Sequence, residues 1–221
     1  MIPPRANADF VCAMEDVLDL YHEPYDPDYP VICFDEGGKQ LFAETRVPMP
    51  MTPGQPLRFD YEYERCGTAN LFMFFEPLAA WRHVTVTEQH TMIDFAHCLR
   101  TLVDVHRPNA TKIRIVLDNL STHKPAALYH AFEPDEARRI AQRLEFHYTP
   151  KHGSWLNMAE IELSVLQRQC LDRRIDNHNF LTTEVHAWLQ RRNHEACTVK
   201  WQFSTTDARR KLHKLYPSFQ T

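Results

Sequence analysis

The chain has 221 residues, 43% hydrophobic and 24% charged, with a net charge of −4 and six cysteines. That balance is ordinary for a globular protein long enough to bury a core. The dispersed cysteines, with no C-x-x-C pair, exclude a disulfide scaffold and suit a reducing compartment, and no apolar run approaches a membrane span. MIPPRANADF has no secretory pattern. On its face the acidic balance also disfavours a nucleic-acid binder.

The average hides a gradient. Residues 1–30 hold seven acids and one base, whereas 163–221 hold ten bases and five acids, net +5 against −9 for the rest. Arg173, Arg174, Arg191, Arg192, Arg209, Arg210, Lys211 and Lys214 form the late basic clusters. Such clusters serve either as a solvated helical face or as a surface that displaces counterions from phosphates.

Residues 7–22 carry apolar residues at helical spacing, with Asn7 placed to cap. The three prolines of 23–30 make a connector. Val31–Phe34 is a short apolar strand ending at Asp35-Glu36, and Gly37-Gly38 predicts a turn. The prolines of 47–57 predict an irregular loop. Residues 58–64 alternate in strand fashion up to a turn at Cys66-Gly67, and strands follow at 69–75 and 82–87. Thr87 is expected to cap a helix over 88–106, ended by Pro108-Asn109. A buried strand at 112–117 ends at Asp118. A helix opens at Pro134 and runs to about 143, and 145–149 is a fifth strand. Helices are predicted from Leu156 to Arg173 and over 180–193.

After the leading helix the order is β, β, β, α, β, α, β, α. It implies a mixed sheet flanked by helices, three antiparallel strands followed by alternating strands and helices.

Asp35 and Asp118 each end a short apolar strand, and ligands gather outside the carboxyl ends of strands in open α/β sheets. Asp is also a common turn residue, so a single such position decides nothing. A third carboxylate is sought in SWLNMAEIELS. Glu160 and Glu162 point about 200° apart on a helix, so only one faces the sheet rim. Oxygen ligands for a hard cation are assembled by the fold and need no local spacing. His90, Asp94 and His97 share a helix face, a pattern that helical spacing often produces without a metal.

Three stretches carry a resemblance: VICFDE around Asp35, IRIVLDNLSTHKP around Asp118, and FHYTPKHGSWLNMAEIELSVLQRQCLDRR around Glu160. The chain resembles, over nearly its whole length, the catalytic domain of DDE transposases of the mariner superfamily, specifically the bacterial insertion sequence 630 family. The resemblance implies an RNase H-like fold, with residues 31–175 as catalytic domain, 1–30 as leading helix and connector, and 176–221 as a basic helical extension. It implies Asp35, Asp118 and Glu160 as catalytic residues and ligands of two Mg²⁺ or Mn²⁺ ions. The family acid follows Leu156-Asn157 by three positions, which selects Glu160. Glu162 is then expected to face solvent or a partner. The 41 residues between Asp118 and Glu160 exceed the spacing of the best-known members.

Asn119, His123, Lys151 and His152 are candidates for positioning DNA phosphates, His123 alternatively for orienting a metal ligand or for a structural loop bond. Trp155 is expected to anchor its helix by packing. The implied activity is cleavage at transposon ends and strand transfer into target DNA, by resemblance at TA. The implied partners are DNA and, in the DNA complex, a second copy; no membrane is expected. The implied location is the bacterial cytoplasm, associated with the nucleoid. An RNase H-like nuclease without strand transfer and a non-catalytic remnant are the alternatives. No helix-turn-helix pattern precedes Asp35, so an upstream DNA-reading segment, truncated or supplied by another reading frame, is expected.

Overall fold

Helix α1 spans Ala8–His22, and Asn7 caps it by accepting from the Phe10 N–H at 3.0 Å. The computed structural model describes residues 6–47, 49–56, 58 and 60–218. These residues form five strands in the order β3-β2-β1-β4-β5: β1 Val31–Glu44, β2 Tyr63–Glu76, β3 Trp81–Thr87, β4 Ile113–Leu117 and β5 Leu144–Tyr148. The pairs β1–β2 and β2–β3 are antiparallel, and β1–β4 and β4–β5 are parallel. The sheet is thus mixed, as the element order implied.

Two expected turns are strand instead. Gly37 and Gly38 pair with Leu71 and Asn70, so β1 passes straight through them. The long antiparallel partner overrides the local tendency of glycine. Gly67 sits at φ +110°, where the β1–β2 register slips between Leu41 and Phe42. This is a bulge, in which glycine supplies a backbone conformation closed to other residues. The alternation predicted from residue 58 becomes strand only at Tyr63. Over the loop predicted at 47–57, isolated bridges join Met49 to Arg58 and Thr52 to Gln55; Pro48, Leu57 and Phe59 lie outside the described residues.

Helix α2 runs Met92–Thr101 and continues through a π-helical turn at Leu102–His106. Thr91, not Thr87, is its cap, because Thr91 and Asp94 form a reciprocal capping box. Asp94 is thereby committed to the helix start, and His90 and His97 gain no metal partner in it. Two short helices lie between β4 and β5, α3 at Ala126–Ala131 and α4 at Pro134–Gln142. A 3₁₀ turn at Ser154–Leu156 precedes α5, Met158–Leu166, which ends in a π-helical turn at Gln167–Leu171. Helix α6 covers His178–His194, and α7, Thr205–Lys211, was not foreseen.

Strand alternation splits the core between the two faces of the sheet. Ile32, Phe34, Phe72, Phe74, Ile115 and Leu117 pack with α2, α3 and α4. Cys33, Met73, Phe75 and Val116 pack on the other face with α1, α5, α6 and α7. Each fully buried aliphatic or Phe side chain contributes about 1.5–3 kcal/mol.

Candidate active site

The parallel register of β1 and β4 pairs Cys33 with Val116. Asp35 stands two residues past Cys33 within β1, on the face of Cys33 that α5 covers, and Asp118 directly follows the last residue of β4, so the two acids lie just beyond the same end of the parallel pairing.

Asn157 brings α5 to that rim. Its side-chain amide donates to the Phe34 carbonyl at 2.7 Å, and its Oδ1 accepts from the Ala159 N–H at 3.1 Å. One buried side chain therefore caps the helix and ties its first turn to the residue before Asp35. Tyr21 adds a second tie by donating from its hydroxyl to the Leu156 carbonyl at 2.8 Å. Glu160 lies in the first turn of α5 and is exposed. Trp155 packs on Trp201 and Phe203, the anchoring expected of it.

Burial pushes the Asp35 carboxyl up to about 7, and the facing charges of Glu160 and Asp118 add to the rise. The Glu36 N–H, which donates to Asp35 Oδ1 at 2.8 Å, opposes it. The three carboxylates thus feel one another. Among the described residues, no three His, Cys, Asp or Glu side chains converge closely enough to hold a metal ion. The set is oxygen-only, and neither Asp35 nor Glu160 has a Lys or Arg partner among the described residues. Such a set suits a hard divalent cation.

His123 is buried, with its ring against Phe34 and Phe95, 5.1 and 4.9 Å between centroids. Its Nδ1 meets Asp118 Oδ1 at 2.5 Å, and its Nε2 stands 3.6 Å from Glu36 Oε2. Burial works against charge on the ring, but the carboxylates of Asp118 and Glu36 outweigh it and lift the pKa to about 9. The imidazole faces Asp118 and is not open to a phosphate, which favours the orienting alternative. Tyr148 steadies this loop by donating to the His123 carbonyl at 2.9 Å.

The other candidates lie around this centre. Asn119 is exposed and accepts from Lys124, whose ammonium also sits 4.3 Å from the centroid of the Tyr148 ring. Lys151 and His152 are exposed on the turn before α5, with His152 at φ +68°. Gly153 is required there, since a Cβ would stand 2.5 Å from the Pro150 ring.

Glu162 departs from expectation. It faces away from Glu160 but is buried, meeting Arg82 at 3.0 Å and Arg192 at 2.8 Å. Two converging guanidiniums offset the cost of burying its charge. Glu36 and Asn157 were not singled out from the sequence. An Asn ahead of a helical run is a cap signal that pointed to Asn157.

The family profile described as DDE superfamily endonuclease matches residues 30–182, a span that includes Asp35, Asp118 and Glu160. The chain belongs to the DDE superfamily endonuclease family. Its fold is that of the Mos1 mariner transposase, an RNase H-like mixed sheet. The Mos1 mariner paired end complex with Mn matches with TM-score 0.56 at 15% identity, over 97% of this chain and 62% of that one. The mariner Mos1 paired end complex with Mg matches with TM-score 0.55 at 14% identity, over 99% and 66%. The Mos1 Strand Transfer Complex gives TM-score 0.56 at 13% identity, over 89% and 61%. This endonuclease-family chain therefore spans less than two thirds of the length of those chains. No curated protein sequence matches it. No helix among the described residues is long and apolar enough to cross a membrane.

Proposed function

We propose that the chain is the catalytic domain of a transposase of the mariner superfamily, in its insertion sequence 630 branch, and that it cleaves transposon-end DNA and joins it to target DNA. The parallel pairing of β1 and β4 carries this reading: Asp35 and Asp118 both lie just past its end, and Asp35 carries charge interactions with Asp118 and with Glu160 at the start of α5. The family membership supports it, as does the shared fold with a transposase determined in paired-end and strand-transfer complexes.

Asp35, Asp118 and Glu160 would hold Mg²⁺ or Mn²⁺, two ions in all. The ions would supply charge stabilisation for the phosphoryl group, the attacking oxygen and the leaving oxygen. Asp35, which interacts electrostatically with both of the other carboxylates, would share in holding the ions. His123 would fix the direction of the Asp118 carboxyl group through the Nδ1 contact. Water attacks the scissile phosphorus, the P–O3′ bond breaks, and the released oxygen takes a proton to become the 3′ hydroxyl. That hydroxyl attacks a target phosphodiester and displaces its 3′ oxygen. Asn119, Lys151 and His152 line the approach and would position backbone phosphates. A second copy of the chain pairs the two ends, and an upstream helix-turn-helix segment reads their sequence.

Asp118→Ala is expected to abolish cleavage of end DNA in Mg²⁺ while leaving DNA affinity within about twofold. Full cleavage by that variant would overturn the assignment. Release of a nicked end with no joined product, by the unaltered chain supplied with target DNA, would favour the nuclease without strand transfer.

A further inference from the structure

The structure separates the arginines of residues 163–221 by whether a carboxylate holds them. Arg173 pairs with Glu184, Arg174 with Glu44, Arg192 with Glu162, Arg209 with Glu15 and Arg210 with Asp207. Those arginines are occupied within the fold. Arg168 and Arg191 are exposed and have no carboxylate partner among the described residues. Both line one cleft between the π-helical turn after α5 and helix α6.

The cleft is built to hold a shape. Its floor is Trp188, 2% exposed, whose indole N–H donates to Gln169 Oε1 at 2.9 Å. That bond turns the Gln169 amide NH₂ outward as a donor. Arg168 is held by its Nε, which donates to the Ser164 carbonyl at 3.2 Å and leaves both terminal amines free. Arg173, already paired with Glu184, stands at one edge, and Asp172 is the one unpaired acid in the wall.

The cleft begins where α5 ends. Glu160, Ser164 and Arg168 are all exposed, Glu160 in the first turn of α5 and Arg168 in the π-helical turn that follows it. Eight residues rise about 12 Å along a helix. That is about three to four nucleotide steps of one DNA strand.

We propose that this cleft, with Arg168 and Arg191 at its rim, grips the phosphodiester backbone of DNA whose scissile phosphate lies at Asp35, Asp118 and Glu160. The inference rests on the reading of that triad as the place where DNA is cut. It adds which arginines of the basic region touch DNA and which hold the fold together.

The test is duplex DNA binding by the full chain without divalent metal, followed by fluorescence anisotropy across a salt series. Arg168→Gln/Arg191→Gln is expected to lower the slope of log affinity against log salt by about 2 and to weaken binding about tenfold near 0.1 M salt. Arg209→Gln/Arg210→Gln removes the same charge from paired positions and is expected to leave the slope within about 0.5 of the unaltered chain. Equal effects of the two variants would reduce the cleft to net charge and overturn the proposal, as would an unchanged slope in the first. Inorganic phosphate at constant ionic strength is expected not to compete; displacement of the arginine-dependent component would mark a small-anion site and overturn it too. Because binding is read without metal, failure of Asp118→Ala to stop cleavage would sink the triad and leave the slope result standing.

Discussion

At the scale of single residues, the site is governed by charge that the fold concentrates and does not neutralise. Asp35 titrates near 7 against an ordinary 3.8, so the metal-free protein is stabilised by its proton at low pH. That stabilisation is lost as pH rises through the window from about 4 to 7. Mg²⁺ competes with the proton for the same oxygens. Saturating Mg²⁺ should therefore raise Tm more at pH 8 than at pH 6, at about 2–4 °C per kcal/mol of linkage. Asp35→Asn should abolish the pH dependence of that shift, as read by differential scanning fluorimetry. His123 answers to a different measurement. His123→Ala should lower the single-turnover cleavage rate by about 10–100-fold at saturating Mg²⁺, because Asp118 loses the partner that fixes it. A rate within twofold of the unaltered chain would leave His123 a packing residue between Phe34 and Phe95.

At the scale of elements, the candidate site draws on the interior of β1, where Asp35 lies although the apolar run before it predicted a strand end, the end of β4 and the start of α5. Asn157 is the joint between β1 and α5, and Asn157→Ala removes both its bonds and orphans the buried Phe34 carbonyl. A loss of about 1–3 kcal/mol in urea denaturation is expected, with a fall in cleavage larger than the unfolded fraction accounts for. The strand-end acids were legible in the sequence because Asp35 and Asp118 close apolar runs of β character. The choice of Glu160 over Glu162 was not legible from residues alone, since helical spacing separates the two without saying which faces the rim; it came from the resemblance. The burial of Glu162 was hidden because its two guanidinium partners come from β3 and α6, 80 and 30 residues away in sequence. The Gly67 bulge and the glycine pair in β1 were misread as turns because pairing partners outside the local window decide what glycine does.

At the scale of the whole molecule, the acidic start and the basic end of the chain meet at one ion pair and two hydroxyl contacts. Glu15 meets both Arg209 and Tyr216, and Asp19 accepts from Thr205. Part of the basic charge of 163–221 is thus matched by carboxylates within the fold. Helices α1, α6 and α7 share one hydrophobic cluster with the sheet face that carries Cys33, Met73 and Val116. Glu162→Leu tests this architecture, since it leaves two guanidiniums beside one another with Arg82 fully buried. A loss of about 3–5 kcal/mol is expected, measured by chemical denaturation.

The contact of Asn7 with the Leu215 carbonyl, 2.9 Å between nitrogen and oxygen, joins residues separated by almost the whole described chain. Its consequence lies in time as well as space. During synthesis, at about 5–20 residues per second, the sheet and all three acids emerge well before α7 and Leu215 exist to close the layer behind them. The nascent protein therefore carries its complete set of acids on an unfinished support for about two to ten seconds at those rates. A domain assembled this way completes the layer behind its acids only once Leu215 has been made.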